Sequence, residues 1–165
     1  MQITHRGLIA LGAVAGAVVL WLGIDFFWVT DQEKIEAVLD RLAEAIASGD
    51  TGAVMALVSD DYYIQGMNRT GLERIVRGYF RRCGPTAVWY LHRSPTDIAG
   101  NRLVTEVVVY SQSAMTSPYY LHGRSRWRLS FKKHGKDWLI VRIEPLQFGI
   151  REVAGWADVP QFSDE

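Results

Sequence analysis

The sequence predicts an α+β fold in which about three helices pack on a curved, mostly antiparallel sheet of four or more strands. Apolar residues recur at helical spacing up to about residue 82. After Gly84 and Pro85, segments rich in Val, Ile, Trp and Tyr alternate with turn residues, a pattern typical of strands. The 165 residues, 48% of them hydrophobic, are enough for one domain with one appendage.

Three predicted helices make up the first half of the domain. The first begins at Asp31 and ends at Ser48, before Gly49, and has an apolar face formed by Ile35, Val38, Leu39, Leu42, Ala45 and Ile46. A short second helix is predicted over 51–58. The third, over 71–82, places apolar residues on one side and arginines on the other.

Four long strands follow, predicted over 86–93, 102–113, 119–132 and 137–144. The turn signals between them lie at 95–101 and 134–136. Helices followed by antiparallel strands predict a single α+β domain over 31–148. The remaining residues, 149–165, are predicted to form a C-terminal tail that docks onto the domain or a partner through Trp156.

An N-terminal membrane anchor is predicted over 7–28. Residues 7–24 are eighteen consecutive residues without a charge, a length that nearly crosses the bilayer core. Aromatic residues at the end of the run resemble an interfacial belt. A cleaved signal peptide is the alternative, but the bulky residues after the run do not form a small-x-small cleavage site.

The short segment before the anchor, residues 1–6, is predicted to be cytoplasmic. The domain would then be extracytoplasmic, and periplasmic in a Gram-negative bacterium. Within the anchor, Gly12 and Gly16 form a GxxxG motif that lets another helix approach closely. The alternative is that these residues reflect the general abundance of Gly and Ala in membrane helices.

The chain resembles the nuclear transport factor 2-like superfamily. The resemblance rests on AEAIASGD at 43–50, AVMALVSDDYY at 53–63 and the closing hairpin GRSRWRLSFKKHGKDWLIVRIE at 123–144. It implies a cone-shaped α+β fold over residues 31–148. The superfamily includes polyketide cyclases, ketosteroid isomerases and many non-catalytic members. Its membrane-tethered members, such as the inner-membrane component of type IV secretion systems, act as assembly subunits.

Enzymes of this superfamily use carboxylates, tyrosines or histidines inside the cone, so the candidate catalytic residues here are Asp61, Glu106 and His122. The residues expected to line the cone are Tyr62, Tyr63, Tyr79, Trp89, Tyr90, His92, Glu106 and His122. The alternative is structural, because Asp61 follows a helix end and Glu106 could pair with an arginine on the next strand. No ligand spacing for a metal is present, and no cofactor is expected.

Strand alternation predicts an arginine-rich face in the second half of the chain. Arg124, Arg126 and Arg128 share one face, while Ser125, Trp127, Leu129 and Phe131 are predicted to face the core with Leu139, Val141 and Ile143. Trp138 and Ile140 are then expected beside the arginines. Such a mixture is typical of protein interfaces, with Trp138 and Trp156 as further contact residues. Cross-strand pairing of the arginines with Glu106 and Glu144 is the alternative.

These features predict a membrane-anchored accessory or assembly subunit that binds other proteins of a larger membrane complex, whether secretory, respiratory or photosynthetic. The expected partners are other membrane-protein subunits and the lipid bilayer. The alternative is a membrane-tethered enzyme or small-ligand binder that uses the cone cavity. Equal numbers of basic and acidic residues, 18 each, argue against a nucleic-acid partner. A third possibility is an RNA or lipid-headgroup site formed by Arg69, Arg74, Arg77, Arg81 and Arg82.

Overall fold

The computed structural model describes residues 30–94, 97–113 and 123–156. The chain divides into two compact units, Met1–Lys34 and Ile35–Glu165, and the second unit contains the sheet. In the described ranges, no helix has the length and apolar character needed to cross a membrane. The predicted anchor at 7–28, with Gly12 and Gly16, lies outside the described residues.

The described helices are α1 (Asp31–Ser48), α2 (Thr51–Ala56) and α3 (Arg69–Cys83). Each begins at a capping side chain that accepts a hydrogen bond from an otherwise unpaired backbone N–H. Glu33 N–H donates to Thr30 Oγ1 (3.2 Å), while Asp50 caps α2 and Asn68 caps α3, both at 3.0 Å. Capping residues are close in sequence to the helix that they begin, and sequence patterns detect them well. Each helix therefore begins within two residues of its predicted start.

A small hairpin, absent from the sequence-based prediction, lies between α2 and α3. Its strands are β1 (Tyr63–Ile64) and β2 (Met67–Asn68), joined by Gln65 and Gly66. Both turn residues have positive φ, 47° and 84°, as tight two-residue hairpin turns require. Two-residue strands are too short to produce a visible alternation, which explains why the pattern did not reveal them.

In the described part of the chain, the main sheet contains six strands, and every pairing between them is antiparallel. Its strands are β3 (Thr86–Arg93), β4 (Asp97–Ala99), β5 (Arg102–Ser113), β6 (Gly123–His134), β7 (Asp137–Phe148) and β8 (Arg151–Glu152). The order is β3-β5-β6-β7-β8, and β4 pairs with β5. The α+β class is confirmed. The predicted bounds of β3 and β5 match those observed, whereas β7 extends four residues beyond its predicted end.

One face of the sheet, here called the inner face, forms the core with the helices. Leu103, Val107, Leu129 and Phe131 from β5 and β6 are buried there. They belong to one cluster with the apolar face of α1 and residues of α2 and α3, namely Ile35, Val38, Leu39, Leu42, Val54, Met55 and Leu72. The predicted inward positions of β6 are therefore confirmed.

The first half of β7 has the opposite orientation from the one predicted. Trp138 is only 2% exposed and Ile140 is fully buried, while Leu139 and Val141 are half-buried. The register shifts between Ser130 and Phe131, whose partners are Arg142 and Ile140, so that Val141 is an extra residue in β7. A bulge reverses the faces on its two sides, and this corrects the expectation that Trp138 contacts a partner beside the arginines.

Truncation of Trp138 should therefore destabilise the fold far more than truncation of an exposed tryptophan. We expect Trp138→Ala to lower the free energy of unfolding by about 3–5 kcal/mol, because it leaves a cavity in the core. Trp89→Ala, at a side chain 48% exposed, should cost roughly 1 kcal/mol or less. Equal losses in chemical denaturation of the two full-length variants would contradict the assigned orientation of β7.

Candidate functional site

A cavity of about 180 Å³ lies between the inner face of the sheet and the helices. Its lining comes from every layer of the domain and is almost entirely apolar. The lining residues are Leu42, Ile46, Val54, Leu72, Ile75, Val76, Tyr79, Phe80, Thr86, Val88, Tyr90, Val107, Val109, Ser111, Ser125, Trp127, Leu129, Ile143 and Trp156. Five of these are aromatic, so the walls suit a flat apolar molecule.

The polar groups in the wall are neutral. The Tyr79 hydroxyl lies 2.8 Å from Thr86 Oγ1, and the Tyr90 hydroxyl donates to the Leu39 carbonyl oxygen at 2.7 Å. Burial raises the pKa of both tyrosines above the ordinary value, so they stay protonated at neutral pH. None of the lining residues is an Asp, Glu, His, Lys, Arg or Cys.

Hydroxyl groups are concentrated at one end of the inner face. Ser111 is the partner of Val88, and Ser125 is the partner of Val109, which places both serines near Thr86 at the start of β3. Ser125 Oγ accepts a hydrogen bond from Trp127 Nε1 at 2.9 Å. The cavity is thus suited to a neutral apolar compound that carries a hydroxyl or carbonyl group, and its lining residues include no carboxylate, imidazole or amine that could act as a general base.

Trp156 forms part of the cavity wall. Its indole Nε1 donates to the Ile143 carbonyl oxygen at 2.8 Å, and its ring centroid lies 5.6 Å from that of Trp127. The tail was predicted to dock onto the domain or onto a partner. The described part of it, as far as Trp156, packs against the domain itself.

The candidate carboxylates lie outside the cavity. Lys132 Nζ donates to Asp61 Oδ2 at 2.6 Å, and Arg128 Nη2 lies 2.7 Å from Glu106 Oε1. The hydrogen bond from Lys132 and then its charge hold the pKa of Asp61 below its ordinary value. His122 lies outside the described residues. Within those residues, no three His, Cys, Asp or Glu side chains form a possible metal site.

The three arginines of β6 differ in their surroundings. Arg128 lies between Glu106 and Glu144, at 2.7 and 3.7 Å, as the cross-strand alternative describes. Arg126 lies 3.9 Å from Glu152. Arg124 is exposed and is the direct cross-strand partner of Tyr110.

Two of the arginines considered for anionic ligands have partners within the domain. Arg69 donates to the carbonyl oxygens of Met55 and Val58, at 2.8 and 3.3 Å, and so connects α3 to the end of α2. Arg77 pairs with Glu73 one helical turn away.

The opposite side of the sheet, here called the outer face, carries an aromatic pair. Trp89 of β3 and Tyr110 of β5 are cross-strand partners with ring centroids 5.9 Å apart, and they are 48% and 41% exposed. Trp89 was expected to line the cone, but Val88 and Tyr90 take the inward positions. Alternation over Thr86–Tyr90, before the register shift in β3, is the signal that could have identified Trp89 as outward.

The salt bridge of Asp61 predicts a pH dependence. Its carboxyl group should titrate below the ordinary range for Asp, and Lys132→Met should return the pKa toward that range. A lowered native pKa stabilises the fold above the pKa of the unfolded chain, and the effect is lost as pH falls through the native pKa. NMR titration of the Asp61 carboxyl in both chains measures this, and identical midpoints would contradict it.

No protein-family profile matches this sequence, and no curated protein matches it. Solved structures do match. A candidate aromatic ring hydroxylase from Novosphingobium aromaticivorans shares 16% identity with a TM-score of 0.61, over 79% of this chain and 96% of its own. A candidate dehydratase of the nuclear transport factor 2-like family from Streptomyces avermitilis shares 11% identity with a TM-score of 0.56, over 68% and 92%.

A third similar structure is a candidate calcium/calmodulin-dependent protein kinase type II association domain from Thiobacillus denitrificans. It shares 15% identity with a TM-score of 0.53, over 68% of this chain and 94% of its own. At such identities, similarity extends to the fold and not to activity. The described domain therefore has a nuclear transport factor 2-like fold.

Proposed function

We propose that this protein is a membrane-anchored accessory or assembly subunit whose domain binds another protein of a membrane complex through the outer face of the sheet. The observation that carries the proposal is the half-exposed Trp89–Tyr110 pair. Trp and Tyr are the residues that most often dominate the binding energy of protein interfaces.

The surroundings of the pair support a protein partner. Leu91, two residues from Trp89 on β3, is exposed as well, at 56%. Arg124 lies beside Tyr110 as its cross-strand partner and offers a donor with fixed geometry at the margin of the apolar area. An apolar centre with arginine at its rim resembles the composition of protein–protein interfaces.

Charge distribution narrows the binding area to one end of the outer face. Arg128 is neutralised by Glu106 and Glu144, so that part of the face resembles an ordinary surface ion-pair network. The end formed by Trp89, Tyr110 and Arg124 is where we place the partner. The fold is compatible with this role, because the similar structure from Thiobacillus denitrificans is described as an association domain.

The proposed location rests on the sequence. Eighteen consecutive uncharged residues at 7–24 are the basis for the anchor. With this anchor we propose a cytoplasmic N-terminus and an extracytoplasmic domain. The proposed partners are accordingly other membrane-protein subunits within the same bilayer.

Mild detergent extraction of native membranes, size separation and mass spectrometry test the partner proposal. The wild-type chain should migrate with a larger complex at fixed stoichiometry, and Trp89→Ser with Tyr110→Ser should release it. Tyr63→Ser is the matched control, since Tyr63 is 60% exposed but lies on β1. Migration of the wild-type chain alone, or equal release by the control, would overturn the proposal.

The second candidate function is the binding of a small neutral molecule, and the apolar cavity favours it. A 180 Å³ space with hydroxyl groups at one end fits a compact aromatic ring system bearing one hydroxyl or carbonyl group. A role as an enzyme is less well supported, because both candidate carboxylates of the described residues form ion pairs away from the cavity.

Fluorescence of 2-naphthol tests the second candidate. In a dry site the excited molecule keeps its proton, so binding to the full chain should shift emission from the naphtholate to the neutral form. Val88→Phe, which fills the cavity, should weaken binding by about tenfold or more. Ala87→Phe is the matched control, because residue 87 is the neighbouring outward position of β3. Absence of the shift, or equal effects of both variants, would refute cavity binding.

A further inference from the structure

The segment from Gly149 to Trp156, here called the strap, contributes to the cavity wall through Trp156. It leaves β7 at Gly149, where φ is +58°, and returns as β8 along the end of the same strand. Ile150, Arg151 and Glu152 are exposed along this course. The strap ends in Trp156, whose indole lies in the cavity wall.

The strap has much weaker support than the other walls. Those walls come from α1, α2 and α3, from β3, and from the twelve-residue strands β5, β6 and β7, whose residues belong to the hydrophobic core or pack against it. The β8 strand, by contrast, has two residues, and Val153 N–H donates to the Leu146 carbonyl oxygen at 3.1 Å. The strap is tied to the sheet further by the Trp156–Ile143 hydrogen bond and by the contact of Glu152 with Arg126 at 3.9 Å. Short exposed segments of this kind open locally at a much lower free energy than the core.

A side chain from the small hairpin holds the strap in place. Gln65 Nε2 donates to the Ala154 carbonyl oxygen at 3.2 Å. The Gln65 amide also lies directly over Gly155, where an added Cβ would be 2.3 Å from Gln65 Oε1. Gln65 itself has a positive φ, which is uncommon for a residue other than glycine. The amide of Gln65, here called the latch, therefore contacts the strap at both Ala154 and Gly155.

The volume of the cavity indicates why movement of this wall would matter. At about 180 Å³, the space is smaller than the roughly 300–1,000 Å³ of ordinary small-molecule sites. Displacement of Trp156, whose side chain is of the largest type, from the wall would bring the cavity volume toward the range of ordinary small-molecule sites. It would also extend the space along Trp127, the aromatic neighbour of Trp156.

We propose that the strap is a movable wall: displacement of Trp156, released by the Gln65 latch, lets the cavity take neutral multi-ring aromatic compounds larger than its resting volume. This inference rests on the second candidate function above. The position of Trp156 then sets the size of the ligand that the cavity accepts.

The first test needs no ligand. In the full chain labelled at tryptophan indole nitrogens, hydrogen exchange at Trp156 Nε1 should be about tenfold or more faster than at Trp138 Nε1, because local opening costs less than global unfolding. Gln65→Ala should accelerate exchange at Trp156 further while leaving Trp138 unchanged. Exchange at Trp156 as slow as at Trp138 in both chains would overturn the movable wall.

The second test compares two fluorescent probes, 2-naphthol and the larger 1-hydroxypyrene. Gln65→Ala and Trp156→Ala should tighten 1-hydroxypyrene binding by about tenfold. In Gln65→Ala, whose changed side chain is not among the lining residues, 2-naphthol affinity should change by roughly threefold or less. The matched control is Trp89→Ala on the outer face, which should change neither affinity.

The outcomes separate the two proposals. If 2-naphthol binds the wild-type chain but 1-hydroxypyrene affinity is the same in all variants, the movable wall is overturned and cavity binding stands. If neither probe binds any of the chains, cavity binding fails and the movable wall fails with it.

Discussion

The curvature of the sheet is the constraint on which the other features depend. Three strands of twelve residues, β5, β6 and β7, pair along most of their lengths. Register shifts occur in β3 and at two points between β6 and β7, and such bulges increase local bending and twist. Helices packed against a curved face contact it unevenly, and the aromatic-lined cavity is the space left between the helices and the sheet.

The same sheet separates the apolar side chains of its inner face from the charged side chains of its outer face. Inward side chains of β3, β5 and β6 are apolar or carry hydroxyl groups. Tyr90 among them, and Tyr79 of α3 opposite, stay protonated because burial raises their pKa. Ion pairs such as Arg128 with Glu106 lie on the outer face, where water lowers the cost of charge. A buried charge without a partner would cost far more, so the cavity is suited to neutral molecules.

Local signals account for what the sequence could predict. Asp50 and Asn68 cap helices within a turn of their own positions, and the alternation in β6 places Leu129 and Phe131 correctly in the core. Trp138 was misplaced because one extra residue, Val141, reverses the faces of β7, and no local pattern marks a bulge. The cavity lining was only partly foreseen. Trp156 reaches it through its hydrogen bond to the Ile143 carbonyl oxygen, and the neighbouring Ala154 is held by Gln65, a residue distant in sequence.

The two candidate binding areas share their strands. Trp89 lies between Val88 and Tyr90, both of which line the cavity, and Tyr110 lies between Val109 and Ser111, which do so as well. A shift of β3 against β5 would therefore alter both faces at once, because strand side chains alternate on a common backbone. If a partner on the outer face changed the affinity of the cavity, the cavity ligand would change partner affinity by the same factor. The strap lies at β7, away from β3, so its movement can change the cavity without disturbing the Trp89–Tyr110 pair.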